Sequence, residues 1–252
     1  MICIYLDEGV SQEGYLLLKK HFQRLGFLTS PIQSHEIIEG KLDRTDLLVL
    51  PGGRDLPYLK KLAGKGNENI LSFLHQGGSY LGICAGAYYG TAEIEFEKGG
   101  CLEVLGDREL KFFSGKAIGP VYGKGRFLYN SQRGARAASI QFLDNPSPVY
   151  CYFNGGCYFA DVKQAQNTKV LASYSDIACN PAAIIECSIG KGVAILSGVH
   201  FEYSASDLSP DKYIKTALPK IAATERERLL LFRNLLHRLR ITQADESASA
   251  RQ

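Results

Sequence analysis

Residues 79 to 88 read Ser79-Tyr80-Leu81-Gly82-Ile83-Cys84-Ala85-Gly86-Ala87-Tyr88, an apolar run that ends in the pattern Gly-x-Cys-x-Gly. This pattern is typical of a nucleophile elbow, where a buried strand turns abruptly into a helix and carries a reactive side chain on the turn. Gly82 and Gly86 would let backbone segments approach closely on either side of the turn. A helix N-terminus also stabilises a thiolate. Most free cysteines are small core residues, but this context favours Cys84 as a nucleophile.

The segments around this stretch predict an α/β fold. Apolar runs at residues 2–6 and 47–50 are typical of covered parallel strands. Helical periodicity follows the first run, from a Ser11 cap onward, and a second helix over residues 67–76 leads into the strand before Cys84. Alternating strands and helices indicate a mostly parallel sheet covered on both faces, with a site at the carboxyl ends of its strands.

The alternation is interrupted over residues 93–160, which are rich in glycine and aromatic residues and predict a β-rich insertion. Residues 150–159 are interpreted as two aromatic strands joined in a hairpin at Asn154-Gly155-Gly156. Further strands follow, at 170–174, 183–187 and 193–198. A last helix is expected to begin at a capping box of Thr224 and Glu227. We predict one domain over residues 1–240 and a disordered tail over 241–252.

Composition limits the functional classes. The 252 residues carry a net charge of +3, which is too mild to indicate nucleic-acid binding. The seven cysteines include no Cys-x-x-Cys pair, so we predict neither a metal site nor a cofactor. The start of the chain lacks a basic leader, and no run approaches the roughly 18 apolar residues of a membrane span. We therefore expect a cytoplasmic protein without membrane association.

One segment is distinctly basic. No acidic residue lies between Glu109 and Asp144, whereas six basic residues do: Lys111, Lys116, Lys124, Arg126, Arg133 and Arg136. Such a segment could hold an anionic substrate or partner, or it could be a solvated loop face, and the sequence leaves both interpretations open.

A cysteine nucleophile needs a general base, and one of the five histidines is well placed to act as one. His200 directly follows an apolar strand, at the edge of the sheet where Cys84 is expected. Glu202 lies two residues further on, where its carboxylate could bind one imidazole nitrogen and fix the tautomer. A lone histidine at a strand end is more often structural. The upstream elbow and the nearby carboxylate favour a catalytic role.

Attack on an acyl carbon also requires N–H donors for the developing oxyanion. The amide of Ala85, immediately after the nucleophile, is one candidate donor. Gly52 and Gly53 follow the preceding strand and are candidates for the other donor, because glycine lets a backbone N–H turn toward a ligand. Together these residues indicate acyl transfer or amide hydrolysis through a thioester on Cys84, with a small amide or ester as substrate.

The sequence resembles class I glutamine amidotransferase-like domains in three motifs that occur in the expected order: Pro51-Gly52-Gly53, Gly82-Ile83-Cys84-Ala85-Gly86 and His200-Phe201-Glu202. It is similar, over most of residues 1–240, to the amino-terminal domain of biotin protein ligases, in longer motifs around the same residues and in Tyr152-Phe153-Asn154-Gly155-Gly156. The resemblance implies a flavodoxin-like three-layer sandwich and a catalytic triad of Cys84, His200 and Glu202. It also places Tyr88 and Asn154 beside the substrate.

Two departures from these families separate the functional hypotheses. Glutamine-using members carry Gln four residues after the cysteine, where this sequence has Tyr88. The ligase domain has no counterpart here, so we expect no biotinylation by this chain alone. The first hypothesis is a cysteine hydrolase or acyl-transfer protein, and the second is a catalytically silent module that binds a biotin ligase or a biotin-dependent enzyme. A protease of the same superfamily is disfavoured, because the His-x-Glu pair resembles the amidotransferase branch.

Overall fold

The structure is a computed structural model, which describes residues 1–143 and 147–242. The strands and helices of this part, in chain order, are β1 (Ile2–Tyr5), α1 (Gln12–Arg24), β2 (Thr29–Ile32), α2 (Ser34–Ile38), β3 (Leu47–Leu50), α3 (Asp55–Leu62), α4 (Lys65–Gln76), β4 (Ser79–Ile83), α5 (Ala85–Tyr89), β5 (Thr91–Phe96), β6 (Val104–Asp107), β7 (Phe113–Gly119), β8 (Arg136–Phe142), β9 (Val149–Phe153), β10 (Tyr158–Ala160), β11 (Thr168–Tyr174), β12 (Ala182–Ile189), β13 (Gly192–Ser197), α6 (Leu218–Ala223) and α7 (Glu225–Arg238).

The parallel part of the sheet has the strand order β2-β1-β3-β4-β13, in which all neighbours run in the same direction. This is the 2-1-3-4-5 order of flavodoxin-like folds. The predicted flavodoxin-like α/β fold is therefore confirmed.

Alternate residues of the parallel strands pack into two separate cores, one on each face of the sheet. Leu48, Leu50 and Tyr80 pack on one face with α3, α4 and α5. Val49 and Leu81 pack on the other face with α1 and α7. The sheet thus lies between two helical layers, as a three-layer sandwich requires.

Strands of the predicted insertion extend the same sheet. β12 runs antiparallel to β13, and β10, β7, β5 and β6 continue from it. A side branch of β11, β8 and β9 leaves the sheet at β12. The sheet is therefore mixed: five parallel strands lie at one end, and the extension is antiparallel except for the parallel pair β5 and β7.

The predicted hairpin over residues 150–159 is wrong. β9 pairs with β8, whereas β10 pairs with β7 and β12, so the two aromatic strands do not pair with each other. Asn154-Gly155-Gly156 instead connects the side branch to the central sheet. Local turn chemistry permitted the hairpin, but β10 fills a gap between two strands that are distant in sequence.

The start of the last helix also differs from its prediction. Helix α7 does begin after Thr224, but the Thr224 side chain makes no capping bond within the helix. Its hydroxyl oxygen instead accepts a hydrogen bond from the amide of Tyr150, at 2.9 Å. At the other end, Ile241 is buried in the core. The predicted tail beyond residue 242 lies outside the described residues.

A bilayer-spanning segment would need a long apolar helix. No helix in residues 1–143 and 147–242 has the length and apolar character to span a membrane.

Candidate active site

Three neighbouring strands of the parallel sheet end at one edge. In the register of these strands, Leu50 of β3 lies opposite Gly82 of β4, and Ile83 of β4 lies opposite Ser197 of β13. The residues that follow these three strand ends are therefore brought together, although they are far apart in sequence. They are the predicted site residues Gly52 and Gly53, Cys84, and His200.

The turn at Cys84 has the backbone conformation of a nucleophile elbow. Cys84 has φ 51° and ψ −104°, in a region that non-glycine residues rarely occupy. Its amide donates to the Ser197 carbonyl at 2.8 Å, which fixes the turn against β13. A Cβ atom on Gly86 would lie 2.1 Å from the Leu50 carbonyl oxygen, and one on Gly82 would lie 2.4 Å from the Gly86 oxygen. The close backbone approach expected from the sequence is therefore present.

Cys84, His200 and Glu202 form a continuous line of side chains. His200 Nδ1 lies 2.8 Å from Glu202 Oε1, and both side chains are buried. The Cys84 side chain is hydrogen-bonded to the imidazole. Because Nδ1 faces Glu202, the nitrogen available to the thiol is Nε2. The His200 amide donates to the Tyr152 carbonyl at 2.9 Å, which holds the segment after β13 in place.

The electrostatic surroundings of His200 favour the protonated imidazole. Burial alone would lower its pKa, but the Glu202 carboxylate and the hydrogen bonds to Cys84 and Glu202 outweigh burial and raise the pKa to about 10, from an ordinary value of 6.5. The imidazole of His200 is therefore protonated on both ring nitrogens at neutral pH in the folded protein.

This raised pKa predicts a pH dependence of stability. Between pH 6.5 and about 10, His200 binds more protons in the folded than in the unfolded state. The free energy of unfolding should therefore fall as pH rises through this window, by at most about 1.4 kcal/mol per pH unit for one proton. Urea unfolding of the wild type and of His200→Asn at several pH values measures the effect. Equal slopes in the two proteins would contradict the prediction.

Two backbone amides of residues that line the site have no protein acceptor in the part of the chain that the structure describes. Within the described residues, the N–H groups of Gly53 and Ala85 donate to no protein acceptor. Gly53 has φ 143°, and a Cβ atom there would lie 2.0 Å from the Gly9 carbonyl oxygen, so glycine is required for this loop conformation. Tyr58 donates its hydroxyl to the carbonyls of Pro51 and Gly52, at 3.2 and 3.3 Å, and thereby holds the loop.

Gly52 provides the space in which the imidazole meets the thiol. A Cβ atom at this position would lie 2.7 Å from Cε1 of His200 and 3.5 Å from Cβ of Cys84. Any larger residue would therefore push the imidazole away from the thiol.

The connection between β9 and β10 crosses the site. The Cys84 Sγ lies 3.9 Å from the Asn154 carbonyl oxygen, and Asn154 donates its side-chain amide to the Ser131 carbonyl at 2.9 Å. Tyr88, one helical turn after Cys84, donates its hydroxyl to the Gly155 carbonyl at 3.1 Å. Tyr88 therefore holds this connection over the thiol.

These residues line a cleft of about 990 Å³, into which the Cys84 side chain opens. Seven of the eight predicted site residues line it: Gly52, Gly53, Cys84, Ala85, Tyr88, Asn154 and His200. The eighth, Glu202, is fully buried behind His200. In the described part of the chain, no three His, Cys, Asp or Glu side chains are grouped closely enough to bind a metal ion.

The basic segment between Glu109 and Asp144 lines the cleft with aromatic and polar residues rather than with its basic side chains. The cleft lining in the described residues includes residues 127–132 but none of the six basic side chains. Lys116 forms ion pairs with Glu93 and Glu95, and Arg136 lies 4.1 Å from the ring centre of Tyr122. An anion site at this segment is therefore not supported by the cleft.

Several residues of the site were missed in the sequence. Tyr152 and Tyr203 flank the imidazole, with ring centres 5.7 and 5.4 Å from that of His200. Both residues, like Tyr58, lie within or beside motifs that carry the family resemblance, which is the signal that could have identified them. Glu13 and Asp211 line the cleft as well, but no local pattern marks them.

Comparison with protein families gives one match over nearly the whole chain. A family model described as biotin-protein ligase, N terminal, matches residues 2–252. The chain is 45% identical over 209 residues to an uncharacterized protein of Chlamydia muridarum, and the alignment covers 80% of each protein. It is 36% identical over 216 residues to a biotin–protein ligase of Schizosaccharomyces pombe, covering 81% of this chain and 33% of that ligase. The chain thus aligns with about one third of the ligase.

Solved structures share the fold at low sequence identity. A glutamine amidotransferase from Thermotoga maritima aligns with a TM-score of 0.54 and 15% identity, over 94% of this chain and 96% of that one. A β-galactosidase from G. stearothermophilus aligns with a TM-score of 0.55 and 13% identity, over 95% of this chain and 30% of that one. These differently named proteins show a common fold and leave the reaction open.

Proposed function

Since this chain belongs to the family of biotin-protein ligase N-terminal domains, we propose that it is a cysteine hydrolase or acyl-transfer protein that acts on an amide or ester. Cys84 is the nucleophile, His200 the acid–base group, and Glu202 the residue that orients the imidazole. The observation that carries the proposal is the unbroken contact from thiol to imidazole to carboxylate. This contact lies beside two unpaired amides in an accessible cleft.

The residues support a two-step reaction. His200 holds the proton of the Cys84 thiol as an imidazolium, and the raised pKa of His200 keeps this proton on the ring until the leaving group needs it. The Cys84 sulfur attacks the acyl carbon, and the amides of Gly53 and Ala85 bind the resulting oxyanion. The bond to the leaving amine or alcohol breaks as His200 returns the proton to it. A water or an acceptor amine then attacks the thioester and releases the acyl group.

Trapping of the intermediate tests this proposal. The protein is incubated with activated esters and with a panel of amides, including glutamine and biotinyl amides, and the mass and position of any acyl adduct are determined by mass spectrometry. We expect a single adduct on Cys84, which is lost in Cys84→Ala and retained in Cys101→Ala. An adduct distributed among several cysteines, or the absence of any adduct, would contradict the proposal.

Selective alkylation gives a prediction that needs no substrate. We expect iodoacetamide to label Cys84 at least about tenfold faster than Cys101 and Cys179, because an adjacent imidazolium stabilises the attacking thiolate. Cys101 and Cys179 are matched controls, since both are exposed and free. His200→Gln should reduce the rate at Cys84 to that of the controls. Equal rates for all three thiols in the wild type would refute a reactive Cys84.

A second candidate is a silent module that binds a biotin ligase or a biotin-dependent enzyme. Tyr88 favours it, because its hydroxyl is bound to Gly155 and it occupies the position where glutamine-using relatives have Gln. Co-purification of Cys84→Ser with such a partner, together with the absence of acyl adducts in the wild type, would support this candidate. Adduct formation on Cys84 would exclude it.

A further inference from the structure

The cleft has an aromatic side, which begins at Tyr88. Tyr88, Phe96, Phe127 and Tyr129 form a row of edge-to-face contacts, with successive ring centres 5.7, 5.4 and 5.0 Å apart. All four rings line the cleft, and Ile94 lies beside them. Tyr88 follows Cys84 by one helical turn, so the row begins beside the thiol. This part of the cleft can cover a flat or apolar group, and Arg54, which also lines the cleft, places its guanidinium 4.3 Å from the ring centre of Tyr129.

Another part of the cleft surrounds the imidazole and is acidic, and Glu13 there interacts electrostatically with His200. Tyr152 and Tyr203 flank His200, and beyond them the carboxylates of Glu13 and Asp211 line the cleft. Asp211 uses Oδ1 to accept the amides of Tyr213 and Ile214, at 2.7 and 3.1 Å, which fixes its position. This leaves Oδ2 for another donor.

The direction of the reaction indicates where the acyl group and the leaving amine of a substrate would lie in the cleft. The leaving amine must be protonated by His200, so it departs on the imidazole side, where the carboxylates lie. The acyl carbon is bound to the thiol, and the acyl group then extends along the aromatic row. The assignment therefore follows from two contacts: the aromatic row begins one helical turn after Cys84, and Glu13 lies near His200.

We propose that the substrate is an N-acylated amine with an apolar or flat acyl group and a positively charged amine portion. This inference rests on the proposed function, which supplies the direction of bond cleavage. It disfavours glutamine, because the acyl portion of glutamine carries an ammonium that would lose hydration against the aromatic row and would lie near the Arg54 guanidinium.

Binding to Cys84→Ala tests the inference without turnover. Isothermal titration calorimetry compares N-phenylacetyl-1,5-diaminopentane with three analogues: the neutral N-phenylacetyl-pentylamine, the anionic N-phenylacetyl-6-aminohexanoate, and N-acetyl-1,5-diaminopentane. We expect the first to bind about threefold to fivefold more tightly than the neutral analogue, because exposed charge pairs contribute modestly. We expect a loss of about tenfold or more for the acetyl analogue, from the lost burial of the ring.

Two sets of variants test which residues cause the preference for the cationic amine and the preference for the phenylacetyl group. In the Cys84→Ala background, Glu13→Gln combined with Asp211→Asn should remove the preference for the cationic amine, while the preference for phenylacetyl over acetyl remains. Asp211→Asn retains an oxygen that can accept the amides of Tyr213 and Ile214. Phe127→Ala should have the opposite effect: it should reduce the preference for phenylacetyl over acetyl and retain the preference for the cationic over the neutral compound.

The outcomes separate this inference from the proposed function. Equal affinity for the cationic, neutral and anionic compounds, or no binding of any of them, would overturn the inference. If wild-type Cys84 still forms acyl adducts in that case, the proposed function stands and only the substrate class is wrong. If the binding preferences appear but no adduct forms on Cys84, the substrate class stands and the hydrolytic proposal fails.

Discussion

Replacing Cys84 with alanine should lower the rate of amide or ester hydrolysis by at least about 10⁴-fold, because removal of a catalytic nucleophile leaves only binding and oxyanion stabilisation. Cys84 and the imidazole that it contacts both line the cleft. Steady-state hydrolysis of the best compound from the amide and ester panel measures the loss. We expect the affinity for that compound to change little, since the cavity and the two free amides remain.

Matched variants distinguish loss of chemistry from loss of structure. Cys101→Ala removes an exposed thiol outside the cleft and should retain full activity. Glu202→Gln keeps the size of the side chain but removes its charge, and we expect it to reduce kcat strongly, although less than loss of the nucleophile does. Hydrolysis that persists at the wild-type rate in Cys84→Ala, with Cys101→Ala unchanged, would show that the thiol has no catalytic role.

Replacing Gly86 with alanine should destabilise the protein by about 3 kcal/mol or more, because the added methyl group has no room in a packed backbone contact. A Cβ atom on Gly86 would lie 2.1 Å from the Leu50 carbonyl oxygen and 2.8 Å from the Leu50 Cβ. Both contacts involve the strand that precedes the Gly52 loop, so the strand cannot shift without disturbing the site. Thermal unfolding should show a decrease in Tm of about 6–12 °C for a chain of this size.

Gly14→Ala is the control for this substitution. Gly14 lies in helix α1, and a Cβ atom there would meet neighbours at 3.5 Å and beyond. Alanine is favoured over glycine in a helix by about 0.5–1 kcal/mol, so Gly14→Ala should leave Tm unchanged or raise it slightly. A Tm of Gly86→Ala equal to that of Gly14→Ala would mean that the elbow tolerates a side chain, contrary to the geometry.

The strands of the parallel sheet and the turns that follow them were predictable, because short sequence patterns indicate both. The apolar runs of β1, β3 and β4 mark covered strands, and Gly-x-Cys-x-Gly marks the turn after β4. Since parallel strands end at the same edge of a sheet, these patterns also predicted that the residues after β3, β4 and β13 would meet.

Failures occurred where several local structures were compatible with the same residues. The Asn154-Gly155-Gly156 sequence suits a tight hairpin, but the chain uses it to cross from β9 to a different part of the sheet. Thr224 has the right neighbour for a capping box, but its hydroxyl is bound to Tyr150. In both places the local structure depends on a residue or strand more than 35 residues away in the sequence. A short sequence pattern cannot predict such a partner.

The sequence by itself determined the α/β fold, the elbow at Cys84 and the meeting of Cys84 with His200 at one edge of the sheet, because these follow from periodicity and from the ends of adjacent strands. The tertiary structure alone decided the surroundings of that site. It placed Tyr88 against Gly155, and it brought the aromatic row and the carboxylates of Glu13 and Asp211 into the cleft that Cys84 lines. These positions depend on how the insertion packs over the sheet. Packing between distant segments produces no periodic pattern in the sequence from which it could be predicted.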